Sequence, residues 1–306
     1  MKKRRKDLEK AKFEWPESAV GHKLVPRIPV LSRAQKLYYK NVVTAATTTK
    51  NRTKGTALTS TTLTDADLDY SLDLIEKRVG MPYELSEEHG MPFADKAGAQ
   101  AVKKTMYKTY ENDVATLFIG GAAASLDVDV TVAHSNSIID AVEANVEALK
   151  AVKGRLVFIT NRKTFNIIMK KAEIIERLAF TGVIPKDGRI IRGLKPEVLA
   201  EVLGVDEVVV GDNDNWLTDS GANDMTGRAS IAKIPAEDLA LEDLMLDPYG
   251  HVRLEMQPGD GENPFEIRTW DNDDDQVHQY DGKGYNKLTT LNSECAKSFE
   301  NIAADA

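Results

Sequence analysis

Leu156-Val157-Phe158-Ile159-Thr160 is the stretch that most restricts how this chain can fold. It is too short for a buried helix and rich in β-branched and aromatic residues, the pattern of a core strand. A helix is expected to follow. Thr160 or Asn161 can cap it, and Phe165, Ile168, Met169 and Ala172 share one face at i, i+3, i+4 and i+7. A second helix is bounded by Pro196, suited to a first helical position, and by Gly204, which can take the left-handed conformation that ends a helix. Val198, Leu199, Val202 and Leu203 make its apolar stripe, and Glu207-Val208-Val209-Val210 is the next strand, closed by Gly211. From Arg155 to Gly211 the order is therefore strand, helix, turn, helix, strand.

At 306 residues the chain can bury a sizeable core as one large domain or two smaller ones, and 42% hydrophobic with 29% charged residues excludes disorder throughout. A formal charge of -8 argues against a surface that grips nucleic acid everywhere, but leaves room for a local basic segment. That segment is N-terminal: Lys2, Lys3, Arg4, Arg5, Lys6, Lys10 and Lys12 face only Asp7 and Glu9. Repulsion keeps such a cluster extended, and two readings are open, a solvated terminus or an arm that contacts polyphosphate or an acidic surface. Pro16, Pro26 and Pro29 break any helix from Phe13 to Val30. A single cysteine, Cys295, excludes an intramolecular disulfide framework, and no apolar run reaches membrane-spanning length, so a cytoplasmic chain with no membrane partner is expected.

From Lys36 to Thr64 the chain is rich in Thr and Val around a polar centre with Lys50, Asn51, Arg52 and Lys54, which predicts a long β-hairpin with arms near Leu37 to Val43 and Thr56 to Leu63. Too few large apolar residues are present for a core of its own, so it needs a neighbour: its own domain or another subunit. Asp67 to Leu74 alternates strictly, with Leu68, Tyr70, Leu72 and Leu74 on one face, as a half-buried strand does. A turn region with Gly80, Pro82, Gly90 and Pro92 precedes a long helix from about Ala94 to Phe118, its face marked by Tyr107, Tyr110, Val114 and Leu117. Asp127 to Val132 is a strand, and Ser137 with Asp140 forms a capping box for a helix carrying Ile139, Val142, Val146 and Leu149. After Gly211 the chain turns acidic; His251 to Met256 and Phe265 to Trp270 are predicted as a hairpin around Pro258-Gly259-Asp260-Gly261. Leu288 to Ile302 fits either a strand or a short helix.

No phosphate loop, dinucleotide-binding turn, nucleophile elbow or zinc-protease pair occurs, and no catalytic set, cofactor site or metal site is assigned. His22, His89, His134, His251 and His278 are scattered and read as structural or surface residues. Asp271, Asp273, Asp274 and Asp275 lack the glycine and distal glutamate of a calcium loop and read as a solvated turn. Cys295 reads as inert.

Thr164 to Met169, Ile174 to Arg177 and Leu194 to Val205, followed by Val208-Val209-Val210-Gly211, resemble the axial domain of tailed-phage major capsid proteins. The order of parts agrees with the HK97-type fold: basic arm, Thr-rich hairpin, long helix ending in Glu111-Asn112-Asp113-Val114-Ala115, capped helix at Ser137 to Val152. The resemblance implies an α+β shell subunit with an N-terminal arm (1–31), an extended loop or E-loop (32–66), a peripheral domain on the long spine helix (67–135), an axial domain (136–245) and a return to the peripheral domain (246–306). It implies assembly through hexamers and pentamers into an icosahedral virion shell around double-stranded DNA, formed in the host cytoplasm, with scaffolding, portal and decoration proteins as possible partners. Inter-subunit contacts fall to Lys50, Arg52 and Lys54 of the E-loop and to Lys2, Lys3, Arg4, Arg5 and Lys6 of the arm. Phe165, Ile168, Met169, Val198, Leu199 and Val202 form the axial core, and Thr181 to Gly193 and Asp212 to Asn223 are contact loops. Some relatives cross-link a lysine to an asparagine; Lys50 or Lys54 has no assignable partner set, so non-covalent assembly is expected. An encapsulin-like nanocompartment is the alternative within the fold. A soluble α/β enzyme with a site after Thr160 and Val210 is the alternative outside it.

Overall fold

The computed structural model describes residues 19–40, 65–120, 125–127, 137–180, 195–211, 228–256 and 265–300. A four-residue helix, α1 (Gly21–Leu24), precedes β1 (Arg27–Pro29) and β2 (Ala34–Lys40). Then β3 (Asp65–Ser71) and β4 (Asp73–Pro82) lead into α2 (Tyr83–His89) and the 25-residue α3 (Met91–Ala115), prolonged by a π turn to Gly120. Next come β5 (Ser125–Asp127), α4 (Ile138–Ala148), β6 (Arg155–Asn161), α5 (Arg162–Ile168), α6 (Ala172–Phe180), α7 (Pro196–Leu203) and β7 (Glu207–Gly211). The remainder holds β8 (Ala229–Ile234), α8 (Asp243–Leu246), β9 (His251–Met256), β10 (Glu266–Asn272), β11 (Val277–Thr290) and β12 (Ala296–Glu300).

Strand β11 is the centre of the first sheet. It pairs antiparallel with β4, β10 and β9, and β9 pairs parallel with β1. The second sheet runs β5-β12-β8-β6-β7, and β2 with β3 forms a separate two-stranded ribbon.

Helix α3 joins the two large sheets. Ala99, Val102, Met106 and Tyr107 pack against Phe265, Ile267 and Tyr280 at the first sheet. Further along, Tyr110, Val114 and Ala115, with Phe118 beyond them, pack against Val157, Ile159, Val209 and Ala232 of the second. The approach to β11 leaves no space for two side chains. A Cβ on Gly98 would stand 2.3 Å from carbons of the Tyr280 ring, and one on Gly282 would stand 2.4 Å from Met106 Sδ.

Strand β6 is buried on both faces. Val157 and Ile159 point toward α3, while Leu156 and Phe158 meet a helical layer built from Ile138 and Val142 of α4, Phe165 and Ile168 of α5, Ile174 and Leu178 of α6, and Leu199 of α7. Burial on two sides is why its centre, Leu156 to Ile159, is uniformly apolar. Asn161 caps α5 by accepting the Thr164 N–H at 2.7 Å. Pro196 opens α7, and Gly204 closes it at φ 68°. Ser137 accepts the Asp140 N–H at 3.2 Å, the forward half of the expected capping box.

Several local expectations are corrected. The single helix expected through Phe165 and Ala172 is two, with α5 ending at Ile168 and exposed Ala172 beginning α6. Ile174 lies nine residues beyond Phe165, about half a turn out of phase on a continuous helix, so only a break lets both reach the core. The alternating stretch Asp67 to Leu74 is also divided: Tyr70 and Leu72 are buried, but Leu74 is 49% exposed. Beyond it, the expected turn at Gly80 and Pro82 is strand, held open by pairing from Leu74↔Tyr285 to Pro82↔Val277. The hairpin base is β2 with β3, from Ala34↔Ser71 to Lys40↔Asp65, and Thr56 to Leu63 lie outside the described residues. Strands β9 and β10 do not form a hairpin with each other, because each finds its partner in β11. Of the strand expected at Asp127 to Val132, β5 supplies the start, and residues 128–136 lie outside the described residues. The C-terminal stretch is strand, completed by β12 between β5 and β8.

Candidate assembly surfaces

The N-terminal segment is seated by a buried polar network. Glu111, 1% exposed on α3, accepts the Gly21 N–H at 2.8 Å and the Val20 N–H at 3.4 Å. Beyond α1 the segment joins the sheet: Arg27↔Arg253 opens the β1–β9 register, and the Arg27 N–H donates to Asp238 Oδ1 at 2.8 Å. Glu255 lies between two guanidinium groups, 3.0 Å from Arg27 Nε and 3.2 Å from Arg253 Nε. Burial pushes the Glu255 carboxyl upward, opposed by Arg253 and Arg27. The Arg253 guanidinium also stands 5.2 Å from the Tyr110 ring centre, and burial raises that phenol to about 12. His22 is lowered to about 4, first by burial and then by Lys23 and Arg253, so it is neutral near neutral pH. Sequence reading missed this network. Its signal was Arg253 and Glu255 alternating with Val252 and Leu254 in a strand, an arrangement that buries charge once both faces are covered.

The β2–β3 ribbon lays one face on the core, with Leu37 and Tyr70 buried and Tyr39 and Leu68 packed beside them, and leaves the other face exposed. Of β2, only Leu37 is buried. Lys36 and Asp67 pair at 2.5 Å on the exposed face. At one end Arg33 stacks over Tyr285 at 3.9 Å, at the other Lys40 Nζ donates to the Leu246 carbonyl at 2.7 Å, and Tyr70 and Leu72 enter the core with Ile28, Val252 and Leu254. A two-stranded ribbon is marginal on its own, and the core under its inner face supplies the missing support.

The helical layer over the second sheet contains Phe165, Ile168, Met169, Leu199 and Val202 in one buried cluster, with Val198 packed against it. Its rim carries Phe180, 93% exposed at the end of α6. Lys50, Arg52, Lys54 and the basic residues Lys2 to Lys6 lie outside the described residues, as do the loops Thr181 to Gly193 and Asp212 to Asn223.

Among the described residues, no group of three or more His, Cys, Asp or Glu side chains is arranged to hold a metal ion, and no helix is long and apolar enough to cross a membrane. Burial raises the Cys295 thiol to about 12 and lowers His251 to about 4. Asp271 and His278 are instead brought together, with Ser86, beside the acidic turn.

No protein-family model and no curated protein sequence matches the chain. Solved structures do. A phage-related protein from Bordetella bronchiseptica is similar over 96% of this chain and 95% of its own, at 15% identity and a TM-score of 0.68. The capsid of cyanophage P-SCSP1u is similar over 94% of this chain and 89% of its own, at 10% identity and a TM-score of 0.60. The SrpI encapsulin of Synechococcus elongatus is similar over 95% and 90%, at 10% identity and a TM-score of 0.54. Likeness over nearly the whole length of each chain, with the ribbon, long helix and two sheets in the same polypeptide, shows that this protein has the α+β HK97-type fold of phage capsid subunits.

Proposed function

We propose that this chain is the major capsid subunit of a tailed phage, assembling through hexamers and pentamers into an icosahedral shell around double-stranded DNA. The observation that carries this reading is likeness of fold to a cyanophage capsid over 94% of this chain and 89% of that one. The outer face of the ribbon, left exposed while its inner face lies on the core, supports it as a surface suited to meet a neighbour. In this reading residues 1–31 are the arm, 32–66 the E-loop, 67–135 with 246–306 the peripheral domain, and 136–245 the axial domain. Lys50, Arg52 and Lys54 make contacts between subunits, and Lys2, Lys3, Arg4, Arg5 and Lys6 meet phosphate or an acidic partner. The helical layer, with its core at Phe165, Ile168, Met169, Val198, Leu199 and Val202, forms a wedge around the local symmetry axis.

An encapsulin-like nanocompartment is the second reading, favoured by the likeness to the SrpI encapsulin. Expression of the full chain followed by sedimentation and electron microscopy tests the common part: hexamers, sheets or shells are expected, and a monomer under every condition would sink both readings. Particles recovered from infected or lysogenic cells separate them, through nuclease-protected double-stranded DNA in one case and protein cargo in the other. SDS gels of the particles are expected to show monomer alone, without covalent ladders.

A further inference from the structure

Helix α8 exposes apolar residues where a surface helix ordinarily carries polar ones. Only Leu244 is buried, while Met245 is 40% and Leu246 65% exposed, and Leu241, one turn before Met245, is 42% exposed. The ribbon adds to the same surface. Tyr38, 54% exposed on β2, stands two residues from Lys40, whose Nζ donates to the Leu246 carbonyl at 2.7 Å. Large apolar side chains gathered in this way mark an interaction site.

The surface is also acidic. Residues 236–247 hold five carboxylates, Glu237, Asp238, Glu242, Asp243 and Asp247, and no lysine or arginine. Asp238 accepts the Arg27 N–H, Asp243 accepts the Ala240 N–H, and Asp247 pairs with Lys153, whereas Glu237 and Glu242 are turned to solvent. A fitting occupant carries large apolar side chains with positive charge beside them. Residues 1–18 have that composition: seven Lys or Arg against four Asp or Glu, with Phe13 and Trp15 directly after Lys10 and Lys12.

The described chain takes up at Ala19, and α8 flanks the stretch that follows. Before α8 the Leu239 N–H donates to the Arg27 carbonyl at 3.0 Å; after it the Lys153 N–H donates to the Pro248 carbonyl at 2.9 Å, and Val152 packs with Leu24 and Val25. Ala19 lies eight residues before Arg27, and four of these form α1, so the two are no more than about 20 Å apart. Phe13 is six residues further back, a reach of about 20 Å. We propose that residues 1–18 fold back on their own subunit, laying Phe13 and Trp15 over Leu241, Met245 and Leu246 with Lys10 and Lys12 toward Glu237 and Glu242, and so mask this patch in the free chain. A short tether gives the segment a high effective concentration, so a contact too weak to join separate copies persists within one. The contact lies inside one copy and does not rest on the shell reading.

Zero-length carbodiimide coupling of the full chain, run on an equal mixture of unlabelled and isotope-labelled protein and read by mass spectrometry, tests the contact. Amide links from Lys10 or Lys12 to Glu237 or Glu242 are expected, each joining peptides of one isotope. Hydrogen exchange at residues 239–247 gives a second reading. Phe13→Ser with Trp15→Ser should speed it by about tenfold or more, the factor that goes with returning an aromatic side chain to water. Leu241→Ser with Leu246→Ser, which changes exposed side chains only, should lower the yield of the links by a similar factor. The proposal fails if the links are absent, if they join unlike isotopes and so place a second copy on the patch, or if exchange at 239–247 ignores Phe13→Ser with Trp15→Ser.

Discussion

At the scale of single residues, burial sets the chemistry of the titratable groups, and Glu111 and His251 show it from opposite sides. Glu111 sits among aromatic and aliphatic residues on α3 because it has work to do there, accepting two backbone N–H groups of the N-terminal segment. Glu111→Ala leaves both without that acceptor, and a loss of about 1–3 kcal/mol is expected, read as a lower denaturation midpoint with faster exchange at Val20 and Gly21. Glu111→Gln keeps a carbonyl oxygen for one N–H and should recover part of the loss. His251 packs edge-on against Phe118 and makes a 2.8 Å hydrogen bond with Thr290 Oγ1. Burial lowers it from 6.5 to about 4, so between those values the unfolded chain takes up a proton that the folded chain refuses. Stability is therefore lost as pH falls from 6.5 toward about 4 and is unaffected by this group above 6.5. Acid-unfolding curves of His251→Phe should be shallower than wild type in that window.

At the scale of elements, local patterns predicted which segments are helix and strand, and failed where a distant partner decided. The capped helices at Ser137, Asn161 and Pro196 were legible because caps and stripes are local chemistry. Strand β4 was not, since Gly80 and Pro82 read as a turn until β11 is laid beside them. The break between α5 and α6 was hidden for a related reason: the face that Ile174 must reach is set by the core. Two contacts test how far elements depend on one another. Gly98→Ala forces a methyl into the Tyr280 ring, and overpacking of this kind should cost about 1–3 kcal/mol in denaturant titrations. Phe299 of β12, fully buried and 6.1 Å from Phe158, ties the C-terminal strand into the second sheet. Phe299→Ala should cost about 3–5 kcal/mol, and removal of residues 296–306 should abolish soluble expression, because it opens the sheet between β5 and β8.

At the scale of the whole molecule, one helix carries two sheets, and a ribbon lies by one face on the core that anchors it. Neutralising Lys50, Arg52 and Lys54 together should leave the subunit's melting temperature unchanged while reducing the yield of shells or hexamers seen by sedimentation, since in the proposed assembly these charges act only between copies. Removing Lys2 to Lys6 should likewise spare folding and act on assembly or DNA content. The sequence by itself determined the buried strand at Leu156 to Thr160, the caps and stripes of the helices around it and the length of α3, because each is written in the period and chemistry of neighbouring residues. Only the tertiary structure decided that β11 is the hub of three antiparallel pairings, that Glu111 and Glu255 are buried with their partners, and that Ser86 meets His278 and Asp271. Those depend on residues as far apart as Arg27 and Glu255, whose encounter no local pattern encodes.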